Sequence, residues 1–322
     1  MTDRSSQPHR RELLGASLAA GAVAACQSKG PAALRIGYQK SGVLLLAWAR
    51  GGLEAALRRV GPVKIEWVQF VAGPPMLEAM RAGAIDIGAV GDAPPIFAQA
   101  ANAPIVYAAA VPNADAAEAV IVPAGSAIRT LPQIKGARVG LTKGSSSHLL
   151  LIEALKSVGL SMADVRSSFL APPDAASAFA SGAIDAWAIW DPFLALAEHR
   201  SPTRTLIDRG GLAHSSSFIL AYRPFAQRAP QLLSAVLDFL AEESAWGDAH
   251  ITESAQIITA QTGVPADISA LVLRRAPLAI QPMTADVVAR EQAAADIFHE
   301  QGFIPNRITV QDAVWSGWRA GA

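Results

Sequence analysis

The chain has 322 residues, of which 51% are hydrophobic and only 17% are charged, and this is enough apolar sequence for a large core and about two domains. Lysine and arginine together number 27, as do aspartate and glutamate, so no field of one sign favours binding to nucleic acid or to an acidic membrane surface. Any charged ligand must therefore be recognised by a local group of residues and not by the overall charge of the protein.

The first 25 residues are predicted to be an export signal and not part of the fold. Arg10 and Arg11 precede an apolar run of small residues over 13–25. A helix of that length covers roughly 20 Å, which is shorter than the hydrocarbon core of about 30 Å. The pattern is therefore typical of a twin-arginine signal peptide and excludes a membrane span here.

The signal ends in VAAC, a tetrapeptide that resembles a bacterial lipoprotein box and whose last residue is Cys26. We expect Cys26 to be lipidated as the new N-terminus. Cleavage at an A-x-A site over 22–24, which would release a soluble protein, is the alternative. Cys26 is the only cysteine, so the fold has no internal disulfide, no cysteine-based zinc site and no thiol nucleophile.

Two pairs of matching segments indicate an internal repeat. RIGYQKSG from Arg35 matches RVGLTKGS from Arg138, and GAIDIGAVGDAPPIF from Gly83 matches GAIDAWAIWDPFLAL from Gly182. The pairs occur in the same order at similar spacing, so we predict two related α/β units.

Each matching segment is predicted to be a strand that leads into a helix, with turns at 39–42, 91–95, 143–147 and 190–192. In open α/β sheets, ligands bind beyond the carboxyl ends of the strands. Helix N-termini there carry unpaired N–H groups and a partial positive charge. Two lobes with facing turns would therefore enclose a small anion.

The segment KGSSSHLLLIEALKSVGL, over 143–160, combines a polar turn with an amphipathic helix. Its apolar residues recur at helical spacing, and Gly159 follows as a stop signal. One serine would suffice as an N-cap, which is the structural alternative. Three consecutive serines, Ser145, Ser146 and Ser147, exceed what capping needs and favour an anion site.

The remaining chain is predicted to form amphipathic helices over 231–246, 267–276 and 285–302. We expect the chain to cross between lobes near 119–126 and again from Phe218. The predicted domains are a linker over 26–33, a first lobe over 34–122 plus 223–322, and a second lobe over 123–222.

These motifs identify a family resemblance. RIGYQKSG, WVQFVAGPPMLEAM, KGSSSH and DAWAIWDPF resemble the aliphatic sulfonate-binding proteins of bacterial ABC importers, whose relatives bind taurine, nitrate or thiamine precursors. The resemblance implies a type II periplasmic-binding-protein fold, with two α/β lobes joined by a two-crossing hinge. It also implies a periplasmic, monomeric protein that needs no cofactor and delivers its ligand to a permease and an ATPase. The lipoprotein box departs from many family members, which are free in the periplasm.

A sulfonate is a permanent anion that only accepts hydrogen bonds, so its site needs donors, and neutral donors suffice. Trp190 is predicted to be a wall for the alkyl part of the ligand, with Trp187 in the core. The predicted donors are Gln39, Gly91, Ser145, Ser146, Ser147 and Ser217.

Three acidic residues have two interpretations, because a carboxylate repels a sulfonate. Asp92 and Asp191 each stand just before prolines, which favours helix capping. Alternatively, one of them or Glu118 receives the ammonium group of a zwitterionic ligand such as taurine.

An enzyme is not predicted. The sequence lacks the G-x-S-x-G, Walker-type and H-E-x-x-H motifs, and His148 has no second ligand at metal-binding spacing. Lys143 could neutralise a sulfonate or lie at the surface. A sensor that hands its closed form to a receptor is the second hypothesis for a binding protein.

Overall fold

Ten strands form two five-stranded sheets in a computed structural model that describes residues 33–112, 115–212 and 216–319. The strands are β1 (Leu34–Tyr38), β2 (Ile65–Gln69), β3 (Ile87–Val90), β4 (Ile105–Pro112), β5 (Glu118–Pro123), β6 (Arg138–Leu141), β7 (Arg166–Phe169), β8 (Ala186–Trp190), β9 (Thr203–Asp208) and β10 (Ser216–Tyr222). The first sheet has the order β2-β1-β3-β10-β4, and the second has the order β7-β6-β8-β5-β9. The two orders correspond strand for strand.

Twelve α-helices cover the sheets within the described residues. They are α1 (Val43–Arg50), α2 (Leu53–Leu57), α3 (Gly73–Arg81), α4 (Ala93–Ala100), α5 (Ser146–Ser157), α6 (Pro172–Ala180), α7 (Phe193–Arg200), α8 (Arg223–Arg228), α9 (Pro230–Ala249), α10 (Ile251–Thr262), α11 (Ala266–Arg275) and α12 (Ala285–Glu300). None of the helices in the described ranges is long and apolar enough to cross a membrane. The predicted C-terminal helices are confirmed as α9, α11 and α12.

The predicted repeat is confirmed by two equivalent ion pairs. Arg35 at the start of β1 bonds Asp86 at 2.9 Å, and Arg138 at the start of β6 bonds Asp185 at 2.6 Å. Each pair ties a strand to its parallel neighbour, β3 or β8. The repeated Gly-Ala-Ile-Asp motif therefore has a structural role at the strand ends far from the turns.

The predicted lobe boundaries need correction at both crossings. β5, predicted to lie in the first lobe, is hydrogen-bonded between β8 and β9 of the second sheet. β10, predicted to lie in the second lobe, is hydrogen-bonded between β3 and β4 of the first. Both apolar runs are antiparallel strands inside a sheet, where both edges are paired, and neither is the crossing itself. Lobe one is therefore residues 33–112 and 216–319, and lobe two is residues 115–212.

Helix α5 belongs to lobe two but packs against both lobes. Leu150 and Leu155 lie in a cluster with the second sheet. Leu149 and Ile152 lie instead in a cluster dominated by lobe-one residues, including Phe298 of α12. The helix that begins at the three serines is thus part of the contact between the lobes.

Candidate ligand-binding site

A cavity of about 150 Å³ lies between the lobes, at the carboxyl ends of the strands. Cavities of about this size hold a small organic molecule. Eight of the predicted site residues line it: Gln39, Gly91, Glu118, Ser145, Ser146, Trp190, Asp191 and Ser217. The end of α11 and the residues just after it add an apolar wall, formed by Val272, Leu273, Ala276, Pro277 and Leu278.

No lysine, arginine or histidine is found among the described residues that line this cavity. Positive potential comes instead from the N-termini of α1 in lobe one and α5 in lobe two, which open onto it through Gly42 and Ser145. Neither cap residue bonds its helix through a side chain, so N–H groups of the first turns are available to a ligand. The cavity is therefore suited to an anion held by neutral donors.

Helix α4 offers fewer free N–H groups to the cavity than the sequence predicted. The backbone N–H of Ala93 is used by the carboxylate of Asp92 at 2.7 Å, and the next two residues, Pro94 and Pro95, have no N–H. The predicted capping role of Asp92 is confirmed. Its carboxylate does not line the cavity but faces a second, smaller space behind it.

The three serines occupy different environments. The Ser145 hydroxyl donates to the carbonyl of Thr142 at 2.7 Å and lies 2.9 Å from the Ser147 hydroxyl. Ser147 is fully buried, accepts from the backbone N–H of Thr142, and does not line the cavity. Within the described part of the chain, the Ser146 hydroxyl makes no hydrogen bond, so it is the serine side chain that is ready for a ligand.

Gly91 and Ser146 meet across the cleft. A Cβ atom at Gly91 would lie 1.8 Å from the Ser146 hydroxyl oxygen, so only glycine permits this approach. On the lobe-one side, one amide hydrogen of Gln39 bonds the carbonyl of Ala89 at 3.0 Å. This bond fixes the amide and leaves its second hydrogen for the cavity.

Glu118 and Asp92 share a buried cation that sequence reasoning missed. Arg209 lies 3.0 Å from Glu118 and 3.1 Å from Asp92, and it also bonds Glu153. Burial raises the pKa of Glu118, while the charge of Arg209 opposes that shift. Arg209 follows β9 in an ordinary Asp-Arg-Gly-Gly turn, and no sequence spacing signals partners that are up to 117 residues away.

Asp191 caps a helix, as predicted, and its carboxylate also lies close to a cation. One carboxylate oxygen accepts from the backbone N–H of Ala195 at 3.0 Å and so caps the first turn of α7. Arg275, another residue missed from sequence, lies 3.4 Å from that oxygen. The second oxygen is buried and has no partner in the described residues, and burial raises the pKa of Asp191 to about 6.

The aromatic predictions match the positions observed. Trp190 is half-buried at the cavity and meets Phe193 edge to face. Trp187 is 1% exposed and packs in the core.

His148 is buried against Phe97 and Phe303, away from the cavity lining, and burial lowers its pKa to about 4. Lys143 is exposed and lies over the ring of Phe169. No group of three or more His, Cys, Asp or Glu residues that could hold a metal ion occurs in the described ranges. Cys26 lies outside those ranges, as does the whole predicted signal.

Comparison with known proteins finds a matching family and several similar chains. Residues 29–258 match the model of the NMT1-like family. An aliphatic sulfonates-binding protein of Escherichia coli strain K12 is 40% identical over 94% of each chain. The taurine-binding periplasmic protein of the same strain is 25% identical over 75% of this chain and 79% of its own length.

Two solved structures share the fold at 39% identity. One is the periplasmic aliphatic sulphonate-binding protein SsuA of E. coli, with a TM-score of 0.80 over 91% of this chain and 95% of that one. The other is the alkanesulfonate-binding protein SsuA of Xanthomonas axonopodis pv. citri bound to MOPS, with a TM-score of 0.84 over 88% and 98%. The predicted periplasmic-binding-protein fold is confirmed. The chain belongs to the NMT1-like family, together with the periplasmic aliphatic sulfonate-binding proteins.

Proposed function

We propose that this protein is the substrate-binding component of an ABC importer, which captures an aliphatic sulfonate between its lobes and delivers it to a permease and an ATPase. Relatives at 40% and 39% identity over nearly the whole chain are named as binding proteins for this ligand class. None of these is named as an enzyme, and the proposed role is binding without catalysis.

The observation that supports this function best is the set of neutral donors. A sulfonate keeps its charge at all physiological pH values and donates no proton, so it can be held by helix N-termini and hydroxyl groups alone. The N-termini of α1 and α5 supply such groups from opposite lobes. A bound anion would therefore contact both lobes at once and favour their closure.

The apolar wall distinguishes an alkanesulfonate from nitrate. Trp190, Leu273 and Pro277 line the same cavity as the donors, and they could cover an alkyl chain, which nitrate lacks. The second oxygen of Asp191, which has no partner in the described residues, can accept a hydrogen bond from an ammonium group, so taurine belongs in the same test.

A thermal-shift series with alkanesulfonates of increasing length, taurine, sulfate and nitrate tests this proposal. A ligand present at about one hundred times its dissociation constant should add roughly 2.7 kcal/mol to the free energy of unfolding. We expect alkanesulfonates to raise the melting temperature most. A shift with nitrate alone would show that the assigned ligand class is wrong.

We also propose that the protein works in the periplasm and is tethered there through a lipidated Cys26. The periplasmic relatives and the VAAC sequence support this location. Mass spectrometry of the mature protein should find an acylated N-terminal cysteine that Cys26→Ala removes. A wild-type N-terminus at Ala25 without acyl chains would refute the tether and leave the periplasmic location intact.

A further inference from the structure

Arg209 lies where the two lobes meet, directly behind the candidate site. Its side chain is 2% exposed, and four of its hydrogen bonds are made to groups from three different elements. Nε donates to Glu118 on β5, Nη1 donates to Glu153 on α5, and Nη2 donates to both Asp92 and the backbone carbonyl of Ser146. A single guanidinium thus bonds Glu118 and Ser146, which line the cavity, and Asp92, which directly follows the lining residue Gly91.

Among these partners, only Asp92 belongs to lobe one. It directly follows Gly91, the residue that faces the Ser146 hydroxyl across the cleft. The Nη2 atom of Arg209 is 3.1 Å from the Asp92 carboxylate and 3.3 Å from the Ser146 carbonyl. This atom therefore bridges the Gly91 turn of lobe one and the serine turn of lobe two.

The network cannot act by attracting the anion. Three carboxylates surround one guanidinium, so the cluster has no excess of positive charge, and Arg209 does not line the cavity. The network can instead fix the distance between the Gly91 turn of lobe one and the serine turn of lobe two. Asp92 is 1% exposed in its side chain, and separating a buried pair leaves two charges without partners, which is costly.

We propose that Arg209 is a positioning residue that couples ligand capture to closure of the lobes, through its bond to Asp92 across the cleft. The bond holds Gly91 against Ser146, so that donors from both lobes are aligned for one anion. The proposal rests on the sulfonate-binding function above, but the lobe geometry that it predicts can be measured without any ligand.

Asp92→Asn is the most informative variant. Asparagine has the same shape, and its amide oxygen can still accept from Ala93. Its NH2 group would then face the guanidinium of Arg209, donor against donor. Asp185→Asn is the matched control, because it makes the same chemical change in an Arg–Asp pair that lies wholly within lobe two.

The experiment combines binding kinetics with an interlobe distance. Spin labels at Glu54→Cys in lobe one and Asp174→Cys in lobe two, both exposed, report the distance in the full chain carrying Cys26→Ser. Distances are recorded for wild type and both variants, with and without ethanesulfonate. Stopped-flow measurements give the association and dissociation rates. Arg209→Lys, which keeps the charge but loses the planar fork, provides an independent second variant.

We expect Asp92→Asn to increase the dissociation rate at least about tenfold, with a smaller change in the association rate. The interlobe distance should shift to longer values in the unliganded protein. Asp185→Asn should change neither quantity, and Arg209→Lys should behave like Asp92→Asn.

Unchanged distances and rates in Asp92→Asn would overturn the proposal. Weaker binding at unchanged distances would also overturn it, because Asp92 would then act on the ligand and not through Arg209. If wild type binds no sulfonate, the proposed function fails, and the distances in unliganded protein still decide the role of Arg209.

Discussion

Ser146 differs from its neighbouring serines because its hydroxyl is bonded to nothing else in the described part of the chain, although the residue is only 7% exposed. We predict that Ser146→Ala removes one hydrogen bond to a charged ligand, at a cost of about 1.5–3 kcal/mol, or roughly tenfold to a hundredfold in affinity. Titration calorimetry with an alkanesulfonate measures this loss.

Ser147→Ala is the control for that measurement, since its hydroxyl bonds Ser145 and Thr142 inside the turn. It should lower the melting temperature more than it lowers affinity. If Ser146→Ala binds as tightly as wild type, the serine hydroxyls only stabilise the turn, and the anion must be held by other groups in the cavity.

Gly91 offers a test of the close approach between the lobes. Gly91→Ala would place a methyl group 1.8 Å from the Ser146 oxygen, so the hydroxyl must rotate away or the lobes must separate. We expect weaker sulfonate binding with little change in melting temperature. Gly125→Ala, at a glycine with no atom within 4 Å of the added methyl, should bind normally, and equal affinities for the two variants would contradict this account.

Helix α5 has two packing faces, and we expect them to differ in how they affect ligand binding. Leu155 is fully buried in lobe two, whereas Leu149 packs into the lobe-one cluster. Alanine at either position should lower the free energy of unfolding by about 2–5 kcal/mol. We predict that only Leu149→Ala also weakens ligand binding when measured on fully folded protein, because only Leu149 packs across the lobes.

Chemical denaturation and calorimetric titration of both variants check this prediction. If Leu155→Ala weakens binding as much as Leu149→Ala does, binding depends on the overall stability of α5 and not on its cross-lobe face.

The elements that sequence predicted best are those with a local signal. The repeated Arg, Gly and Asp positions revealed two related units, and helical spacing located α5 and the C-terminal helices. β5 and β10 were assigned to the wrong lobes because an apolar run of six or seven residues has the same pattern in either sheet. Which sheet such a strand joins depends on its pairing with strands that are distant in sequence. The spacing of apolar residues within the strand does not reveal that pairing.

We predict that His148 makes the contact between the two lobes of the molecule sensitive to acid. Its ring belongs to lobe two and packs against Phe97, Phe298 and Phe303 of lobe one. Burial lowers its pKa from 6.5 to about 4, so the folded protein holds the neutral form. The contribution of neutral His148 to the free energy of unfolding is fully present above pH 6.5 and is lost as pH falls from 6.5 through 4.

His148→Phe should remove this part of the acid sensitivity, because phenylalanine cannot be protonated and keeps an aromatic ring in the cluster. Thermal melts between pH 4 and 8 should show a smaller loss of stability for His148→Phe than for wild type. Parallel curves for the two proteins would show that His148 does not titrate in this range.

The cross-lobe ion pairs show what sequence could not reveal about the whole molecule. The bond from Arg209 to Asp92 spans 117 residues, and the bond from Arg275 to Glu198 spans 77. Serine, glycine and tryptophan at the turns could be proposed as site residues from sequence because their chemistry suits a small anion with an apolar part. Arginines that act through other residues have no recognisable sequence pattern, and their partners become visible only in the folded structure, where the two lobes meet.

A crystal structure with bound ethanesulfonate would show directly how the protein holds its ligand. We predict sulfonate oxygens within about 2.7–3.2 Å of the Ser146 hydroxyl and of backbone N–H groups in the first turns of α1 and α5, with the ethyl group against Trp190. A sulfonate bound outside the cleft, or paired with an exposed cation such as Lys143, would contradict it.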